Sequence, residues 1–294
     1  MHPSLPPRRR KCQPVQDLAG CFLLRTVILA RTEAELRTAL EADRARGART
    51  GLVPTRGGLH EGKLSLVDRC RSLADVCVVS TSPGPPRFST HGANAYGPRD
   101  LERDCESAAA RGAHVVFAPT TIESDPDSEG APEGGMATLL GTVRELLRAV
   151  RPQLVVVGRK DLRWATSIRR LASEFDPDIE TEVAPIVRAQ DGVALSLANQ
   201  RLSQEQRRQA VGLVRALELA RAAYKAGQRS AGALTALIRD EVDRRPLLST
   251  ECAEIVRVRD LALQDPVGEG SAALVVARCG PVLLADNMLL SSTP

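Results

Sequence analysis

The chain has 294 residues, a hydrophobic fraction of 43% and a formal net charge of only +4 at pH 7. This length suffices for one large domain and one smaller domain, each with its own core. No stretch approaches the roughly 18 uninterrupted apolar residues that a membrane-spanning helix requires, and few aromatic residues are present on which nucleic-acid bases could stack. The composition therefore disfavours membrane proteins and nucleic-acid-binding proteins.

Residues 1–24 are predicted to form a disordered tail. The tail contains several prolines and the basic run "RRRK" at Arg8–Lys11, which is typical of a solvated extension; a nucleic-acid arm and a transit peptide are the alternatives. "CFLLRTVILA" at Cys21–Ala30 is interrupted by Arg25 and lacks a small-residue cleavage site, so it predicts a buried strand rather than a secretory signal. The cysteines are odd in number and never form a Cys-x-x-Cys pair. Reduced thiols in a cytoplasmic protein are the simplest interpretation.

Short β-branched runs alternate with helical segments from Thr26 to about Ile186. The predicted strands are Thr26–Ala30, Gly51–Val53, Val76–Ser80, His114–Phe117, Leu154–Val157 and Ile179–Val183, and the predicted helices are Thr32–Arg46, Leu64–Leu73, Asp100–Arg111, Thr138–Val150 and Leu162–Phe175. This alternation is typical of a Rossmann-like α/β fold with a doubly wound parallel sheet, in which ligands bind beyond the carboxyl ends of the strands. We expect residues 25–186 to form this domain. Two Pro-, Gly- and Ser-rich stretches within it, 80–100 and 118–136, are predicted loops that either close over a site or merely connect elements.

The pattern changes after Ile186. Apolar residues at helical spacing predict one helix that ends before Gly227 and a second helix around Leu234–Val242. Further strands are predicted at Glu254–Val258, Ala272–Ala277 and Val282–Leu284. Residues 187–294 are therefore expected to form a smaller C-terminal α+β domain.

The stretch "GLVPTRGGLHEGK", Gly51–Lys63, indicates a strand, a glycine-rich turn and the start of a helix. Free backbone N–H groups and the positive end of a helix dipole converge in such a turn, so it is suited to hold a phosphate. Gly57, Gly58 and Gly62 would let a ligand approach the backbone closely. His60 lies among these glycines and is either a functional group or a structural histidine.

Two further segments carry candidate residues. "VVVGRKD", Val155–Asp161, is a strand that ends in a charged turn. Lys160 could pair with phosphate oxygens, and Asp161 could lie near a metal or cap the next helix; a solvated lysine and an ordinary capping residue are the alternative. "VRAQDGVALSLANQRLS", Val187–Ser203, is a loop before a helix that either closes over a nucleotide or acts as a linker.

Together the three segments resemble the pantoate–β-alanine ligase family of the HIGH-motif nucleotidyltransferase superfamily. The resemblance extends over about Thr26–Asn287 and includes the closing stretch "LLADN", Leu283–Asn287. It implies an ATP-dependent ligation of pantoate with β-alanine through a pantoyl-adenylate intermediate, with Mg²⁺ bridging the phosphates. It also implies that residues 25–186 bind the nucleotide and that the protein forms a homodimer through this domain.

The resemblance also implies residue roles. His60, Lys63 and Lys160 would be catalytic, and the family's two pantoate-binding glutamines correspond to Arg87 and Trp164. No residue is assigned as a metal ligand. The residues expected to contact ATP are Thr55, Arg56, Gly57, Gly58, His60, Gly62, Lys63, Gly158, Lys160, Asp161, Val187 and Ser196.

The chain departs from the family pattern at several of these positions. Lys63 replaces the second histidine of the turn, Arg56 replaces a methionine, and Leu197 and Ala198 replace a Ser–Arg pair. Removal of one preorganised donor typically costs about 10²–10³ in rate. Three interpretations therefore remain open: a pantoate–β-alanine ligase with reduced activity, an adenylate-forming amide ligase for another acid, and an inactive paralogue.

Overall fold

The structure is a computed structural model that describes residues 27–81, 101–119 and 136–291, except for the side chains of residues 137 and 138. The predicted tail, most of both predicted loops, and Arg87 lie outside the described residues. The chain divides into two compact units. The first unit contains the described residues up to Val157 together with Ser167–Ala184, and the second contains Gly158–Thr166 and the chain from Pro185 onward.

The first unit is built on a six-stranded sheet. Its elements are β1 (Ile28–Ala30), α1 (Glu33–Ala45), β2 (Thr50–Thr55), α2 (Glu61–Leu73), β3 (Val76–Thr81), α3 (Leu101–Ala110), β4 (Val115–Phe117), α4 (Met136–Val150), β5 (Leu154–Gly158), α5 (Leu162–Phe175) and β6 (Glu180–Ala184), of which β5 and α5 extend into the second unit. The strand order is β1-β4-β3-β2-β5-β6, and β4 with β1, β3 with β4, β2 with β3, and β5 with β2 all pair in parallel. The predicted Rossmann-like parallel sheet is confirmed.

The carboxyl ends of β2 and β5 mark the edge at which ligands are expected. From β2 the chain proceeds to β3 and β4 on one side, whereas β5 and β6 lie on the other side of β2. The strand order thus reverses between β2 and β5, and open α/β sheets bind ligands at such a switch point. The glycine-rich turn follows β2, and the "GRKD" turn begins with the last residue of β5.

Close packing of β2 against α2 positions the glycine-rich turn between them. A Cβ atom added at Gly51 would lie 2.4 Å from Cys70 Sγ and 3.1 Å from Ala74 Cβ, so only glycine fits at this point of the strand. Val53 and Val67 are fully buried in the same core. Because the backbone of β2 at Gly51 packs directly against side chains of α2 and its C-cap, the start of α2 is fixed relative to the end of β2.

The second unit is an α+β module. Its further elements are α6 (Leu197–Gln200), α7 (Gln204–Lys225), α8 (Ala231–Asp243), β7 (Leu248–Arg257), β8 (Ser271–Cys279) and β9 (Val282–Leu289). The strands form an antiparallel sheet in the order β7-β8-β9. Leu217 of α7 and Ile238 of α8 are fully buried in one apolar cluster with Ile255 and Val275 of the sheet. The predicted α+β character of this region is confirmed.

The first residues of α5 pack within this second unit. Leu162 joins Val256 and Val258 in an apolar cluster on the three-stranded sheet. Arg163 pairs with Glu254 at 2.8 Å. The segment Gly158–Thr166 is therefore anchored to β7 and its continuation, although it follows a strand of the first unit.

Two expectations from composition can be compared with the described residues. None of the helices there combines the length and the apolar character needed to cross a membrane. The cysteines found there, Cys70, Cys77, Cys105, Cys252 and Cys279, are free. The pKa of Cys77 is raised well above its ordinary value by a hydrogen bond with Cys70 and by burial, so Cys77 stays a neutral thiol.

Candidate functional site

The β2 turn, Arg56–Lys63, connects β2 to α2. Gly57 and Gly58 have φ angles of +76° and +64°, in the left-handed region that residues with a side chain adopt only at a cost. The buried Thr55, the last residue of β2, links the turn to β3 through its hydroxyl. Its hydroxyl donates a hydrogen bond to the Ser80 carbonyl at 2.7 Å and accepts one from the Gly57 N–H at 3.1 Å.

A buried carboxylate holds the middle of the β2 turn. Asp104 of α3 is only 7% exposed, and its two oxygens accept the N–H groups of Gly58 at 2.7 Å and Leu59 at 2.8 Å. Hydrogen bonds to an ionised acceptor are shorter and stronger than neutral ones. Sequence reasoning missed Asp104, because in the sequence it is indistinguishable from an ordinary acidic residue in the first turn of a helix.

His60 is the N-cap residue of α2. Its ring nitrogen Nδ1 accepts the Gly62 N–H at 3.2 Å, and its backbone N–H donates to the Gly58 carbonyl at 3.0 Å. A ring nitrogen that accepts a hydrogen bond carries no proton, so the neutral imidazole has its proton on Nε2. Nδ1 of His60 therefore has a structural role as a cap, and Nε2 carries the ring proton near the N-terminus of a 13-residue helix.

Lys63, in the first turn of α2, reaches back across the β2 turn. Its ammonium donates to the Gly57 carbonyl at 2.6 Å and so ties the start of the helix to the start of the turn. The half-buried Arg56 precedes Gly57 in the chain and forms an isolated bridge with Thr81 of β3. Both cations therefore belong to one small turn, as the sequence suggested.

The expectation of free backbone N–H groups is wrong at four positions of the β2 turn. The amides of Gly57, Gly58, Leu59 and Gly62 each donate to a protein side chain. The physical reason is that a half-buried turn must satisfy its own polar groups when the chain folds. If this turn binds a phosphate, it would do so through side-chain donors and the helix dipole rather than through these four amides.

The β5 turn, Gly158–Asp161, lies in the second unit. The side chain of Asp161 accepts the backbone N–H of Trp164 at 3.0 Å and so caps α5. This is the role of an ordinary capping residue, the alternative to a place near a metal. Trp164 is half-buried in the first turn of that helix. Asn287 of β9 donates to the carbonyls of Arg159 and Lys160, each at 2.9 Å.

The electrostatic surroundings of Lys160 are mixed. Burial lowers its pKa below the ordinary value for lysine; Asp286 and Asp161 oppose this shift, whereas Arg188 adds to it. The ammonium lies 3.4 Å from the carbonyl oxygen of Ala285. Lys160 is therefore neither a fully solvated surface lysine nor a buried ion pair.

The third segment, Val187–Ser203, forms a tight hairpin before α7. The Val187 carbonyl accepts the N–H of Leu195 at 2.9 Å. The hydroxyl of Ser196 caps the short helix α6 by accepting the Asn199 N–H at 3.1 Å. Ser196 is buried, so its hydroxyl has a structural role within its own segment.

Arg188 in this segment was missed from the sequence. It makes a two-pronged ion pair with the buried Asp286, with N–O distances of 2.6 and 3.0 Å, and also donates to the Gly192 carbonyl. The available signal was an arginine directly after Val187 together with an aspartate in the quoted "LLADN" stretch. Because its guanidinium is already engaged, Arg188 contributes positive charge near Lys160 rather than an additional donor.

The structure thus groups the predicted site residues in two sets. Thr55, Arg56, Gly57, Gly58, His60, Gly62 and Lys63 lie at the end of β2 and the start of α2 in the first unit. The second set lies in the second unit and consists of Gly158, Lys160, Asp161, Trp164, Val187 and Ser196. The charges of Arg188 and Asp286 shift the pKa of Lys160 in opposite directions. Arg87 is outside the described residues.

The fold and the β2 turn define the class of this protein. A parallel sheet in the order β1-β4-β3-β2-β5-β6, with a histidine-capped helix after β2, is the arrangement of a Rossmann-like HIGH-type nucleotidyltransferase. A sequence profile described as pantoate-beta-alanine ligase matches residues 28–289. The chain belongs to the pantoate–β-alanine ligase family, and the resemblance inferred from the three segments is confirmed.

Individual relatives agree with this assignment. The pantothenate synthetase of Pelotomaculum thermopropionicum is 32% identical over 90% of this chain and 99% of its own length, and that of Saccharopolyspora erythraea is 38% identical over 87% of this chain and 88% of its own. A crystal structure of pantothenate synthetase from Thermus thermophilus covers 90% of this chain and 99% of its own, with a TM-score of 0.78 at 29% identity. The ligase of Francisella tularensis, solved in complex with beta-gamma ATP and beta-alanine, shares the fold at a TM-score of 0.63 and 21% identity, over 90% of this chain and 98% of its own.

Proposed function

We propose that this protein is an ATP-dependent ligase that joins pantoate to β-alanine to form pantothenate. In the first step a carboxylate oxygen of pantoate attacks the α-phosphorus of ATP, the bond to the β-phosphate oxygen breaks, and pyrophosphate leaves. In the second step the β-alanine amine attacks the acyl carbon of pantoyl adenylate, AMP leaves, and the amine nitrogen loses a proton. Membership of the ligase family over residues 28–289 supports both substrates.

The observation that carries the proposal is the orientation of His60. Because its Nδ1 accepts the Gly62 N–H, Nε2 is the ring nitrogen that carries the proton and would donate to a phosphate oxygen. This donor stands at the positive end of α2, where negative charge is favoured. Pyrophosphate gains negative charge as it leaves, and a preorganised donor at that point lowers the barrier.

Lysines supply the remaining positive charge in this proposal. Lys63 donates to the Gly57 carbonyl, and an ammonium carries three N–H donors, so this bond leaves it chemically able to contact a phosphate as well. Lys160 is half-buried, which strengthens any ion pair it makes with a phosphate relative to one in water. The substituted site has therefore kept cationic character at positions 56, 63 and 160.

We propose that Mg²⁺ enters with ATP. Within the described ranges, no group of three or more His, Cys, Asp or Glu residues could hold a metal ion. Mg²⁺ does not require such a group, because it keeps several waters and binds chiefly to nucleotide phosphates with one or two carboxylates. The metal would supply charge neutralisation on the phosphates, and the residues of this chain would orient them.

Three finer features complete the proposal. We propose a homodimeric assembly, a cytoplasmic location, and positions near the acid substrate for Arg87 and Trp164. Trp164 is half-buried in the first turn of α5, directly after the β5 turn, which is compatible with a place beside the acyl group. A tryptophan cannot reproduce both hydrogen-bonding groups of a glutamine, so the acid specificity is the feature most open to change.

The proposal is tested by pantoate-dependent exchange of labelled pyrophosphate into ATP, repeated with a panel of other hydroxy acids. We expect exchange with pantoate, and a decrease of about 10²–10³ for Lys160→Ala because one preorganised cation is lost. Lys225→Ala, an exposed lysine at the end of α7, is the matched control and should exchange like the wild type. Exchange with another acid alone would mean a different acid substrate, and no exchange with any acid would overturn the ligase proposal.

A further inference from the structure

Two consecutive buried polar residues on β9 are unusual for an edge strand. Successive side chains of a strand point to opposite faces, so one of two neighbours normally meets solvent. Asp286 and Asn287 are nevertheless 6% and 2% exposed, and β9 is the last strand of its sheet, next to β8. Buried polar groups are retained where partners satisfy them, so the partners of this pair indicate what it does.

Asn287 uses both N–H bonds of its carboxamide on the β5 turn. Nδ2 donates to the carbonyls of Arg159 and Lys160, each at 2.9 Å. The same short stretch of β9 also meets the side chain of Lys160, whose ammonium lies 3.4 Å from the Ala285 carbonyl. Lys160 is thus held at its main chain and approached at its tip by the same strand.

Asp286 fixes the support on its other side. Its carboxylate binds Arg188 through two N–O contacts and accepts the backbone N–H of Asn287 at 2.8 Å. Arg188 also lies 3.4 Å from the backbone carbonyl of Asn287. The backbone of Asn287 is therefore held by its neighbours. A carboxamide carried on a backbone held in this way can support the turn that it binds.

We propose that Asn287 is a positioning residue for Lys160, which rests on the proposed role of Lys160 in binding the phosphates of ATP. Lysine has a flexible four-carbon stem, so the place that its ammonium can reach depends on how firmly its backbone is held. Two hydrogen bonds to consecutive carbonyls fix the peptide planes on both sides of the Lys160 Cα. Asn287 acts through Lys160 and need not touch a substrate.

The amide is chemically specific in this place. Asn287→Asp preserves the shape but places carboxylate oxygens against two carbonyl oxygens, which repels the turn. Asn287→Ala removes the donors without adding repulsion. We therefore expect Asn287→Asp to be the more damaging variant, although it is the closer one in size.

A double-mutant cycle tests the proposal with the full chain. Pyrophosphate exchange and the dissociation constant of ATP are measured for wild type, Asn287→Ala, Lys160→Ala and the double variant. Misplacement of a reacting group by about 1 Å can cost about 10²-fold in rate, so we expect the exchange rate to decrease by up to that factor for Asn287→Ala and by more for Asn287→Asp. We expect no further decrease when Asn287→Ala is added to Lys160→Ala.

A structural control separates positioning from general destabilisation. Ser271→Ala removes a buried hydroxyl of β8 that bonds to Gln264 and Gly268 rather than to the β5 turn. It should lower the melting temperature without changing kcat. Losses that multiply in the double variant, or wild-type exchange in Asn287→Ala, would overturn the positioning role.

The failure of the proposed function would be visible separately. If the wild type binds ATP but shows no pantoate-dependent exchange, the ligase proposal fails, and the same four proteins decide the positioning role through their ATP dissociation constants. A wild type that neither exchanges nor binds ATP contradicts both proposals.

Discussion

The β2 turn and the β5 turn follow neighbouring parallel strands, but they are held in opposite chemical ways. The β2 turn is held through its N–H groups, which the carboxylate of Asp104 accepts. The β5 turn is held through its carbonyls, to which the carboxamide of Asn287 donates. In both cases the holder is buried and remote in sequence. The residues that make each turn recognisable in the sequence are thus different from the residues that give it a fixed shape.

The largest effect expected from this comparison is that of Asp104→Asn. An amide nitrogen in place of one oxygen would face a backbone N–H, so either Gly58 or Leu59 loses its acceptor. Displacement of a reacting group by about 1 Å can cost about 10²-fold in rate, and a buried unsatisfied donor costs about 1–3 kcal/mol. We expect decreases of this size in pyrophosphate exchange and in the free energy of unfolding measured with urea.

Asp75→Asn is the matched control for Asp104→Asn. Asp75 also accepts a backbone N–H, that of Arg49 at 2.8 Å, but it is exposed and precedes β3 at the opposite edge of the sheet. This variant should exchange pyrophosphate like the wild type. If both variants lose stability but neither loses exchange, Asp104 does not hold a functional turn.

A smaller effect is expected at Lys63. Lys63→Met keeps a stem of similar length but removes the bond to the Gly57 carbonyl and one positive charge. A hydrogen bond to a charged group contributes about 1.5–3 kcal/mol, which corresponds to a decrease in exchange of about tenfold or more. Lys63→His should exchange faster than Lys63→Met and faster than the wild type, because it restores the second histidine of the family pattern.

The outcome for Lys63→His shows whether the β2 turn is the family's site with a weaker residue at position 63 or a remodelled site that depends on lysine. If the restored histidine lowers exchange below the wild-type rate, Lys63 is a working part of a remodelled site, and its bond to Gly57 is a feature of this chain. Kinetics with ATP and pantoate varied in turn would show whether the change lies in kcat or in KM.

The last effect concerns the charge of Lys160, and it is measured from the pH profile of exchange because Asp286→Asn also breaks the buried ion pair with Arg188. Burial and Arg188 lower its pKa, while Asp286 and then Asp161 raise it. Asp286→Asn removes the larger opposing influence, so the pKa of Lys160 should decrease further. Because the ammonium is charged only below its pKa, the alkaline decline of exchange should move to lower pH. Asp161→Asn should shift it in the same direction by less, and an unchanged alkaline limb in Asp286→Asn would contradict this charge assignment.

The sequence predicted the sheet and the three site segments because their signals are local. β-branched runs, the glycines of the β2 turn and the "GLHEGK" start of a helix each depend on a few neighbouring residues, and α5 begins and ends at the predicted residues. The predicted start of α2, Leu64, lies after its observed start at Glu61, because histidine is not among the residues that usually signal an N-cap.

The supporting residues could not be predicted in this way. Asp104 and Asn287 act across 45 and 127 residues of sequence, respectively, and each satisfies backbone groups whose direction depends on the folded turn. Nothing in a local pattern distinguishes them from a surface aspartate or a loop asparagine. The expectation of bare amides in the β2 turn failed for the same reason, since the carboxylate that occupies two of them comes from another helix.

The bond between Asp104 and the β2 turn also has a consequence for the order of events. The turn acquires its shape as the chain folds, so its conformational entropy is lost before any nucleotide is encountered. In the proposed reaction ATP would meet a preformed turn, and little of its binding free energy would be spent on ordering the loop. The amide protons of Gly58 and Leu59 become accessible to solvent only when α3 separates from the sheet, so their rates of hydrogen exchange would measure that local opening directly.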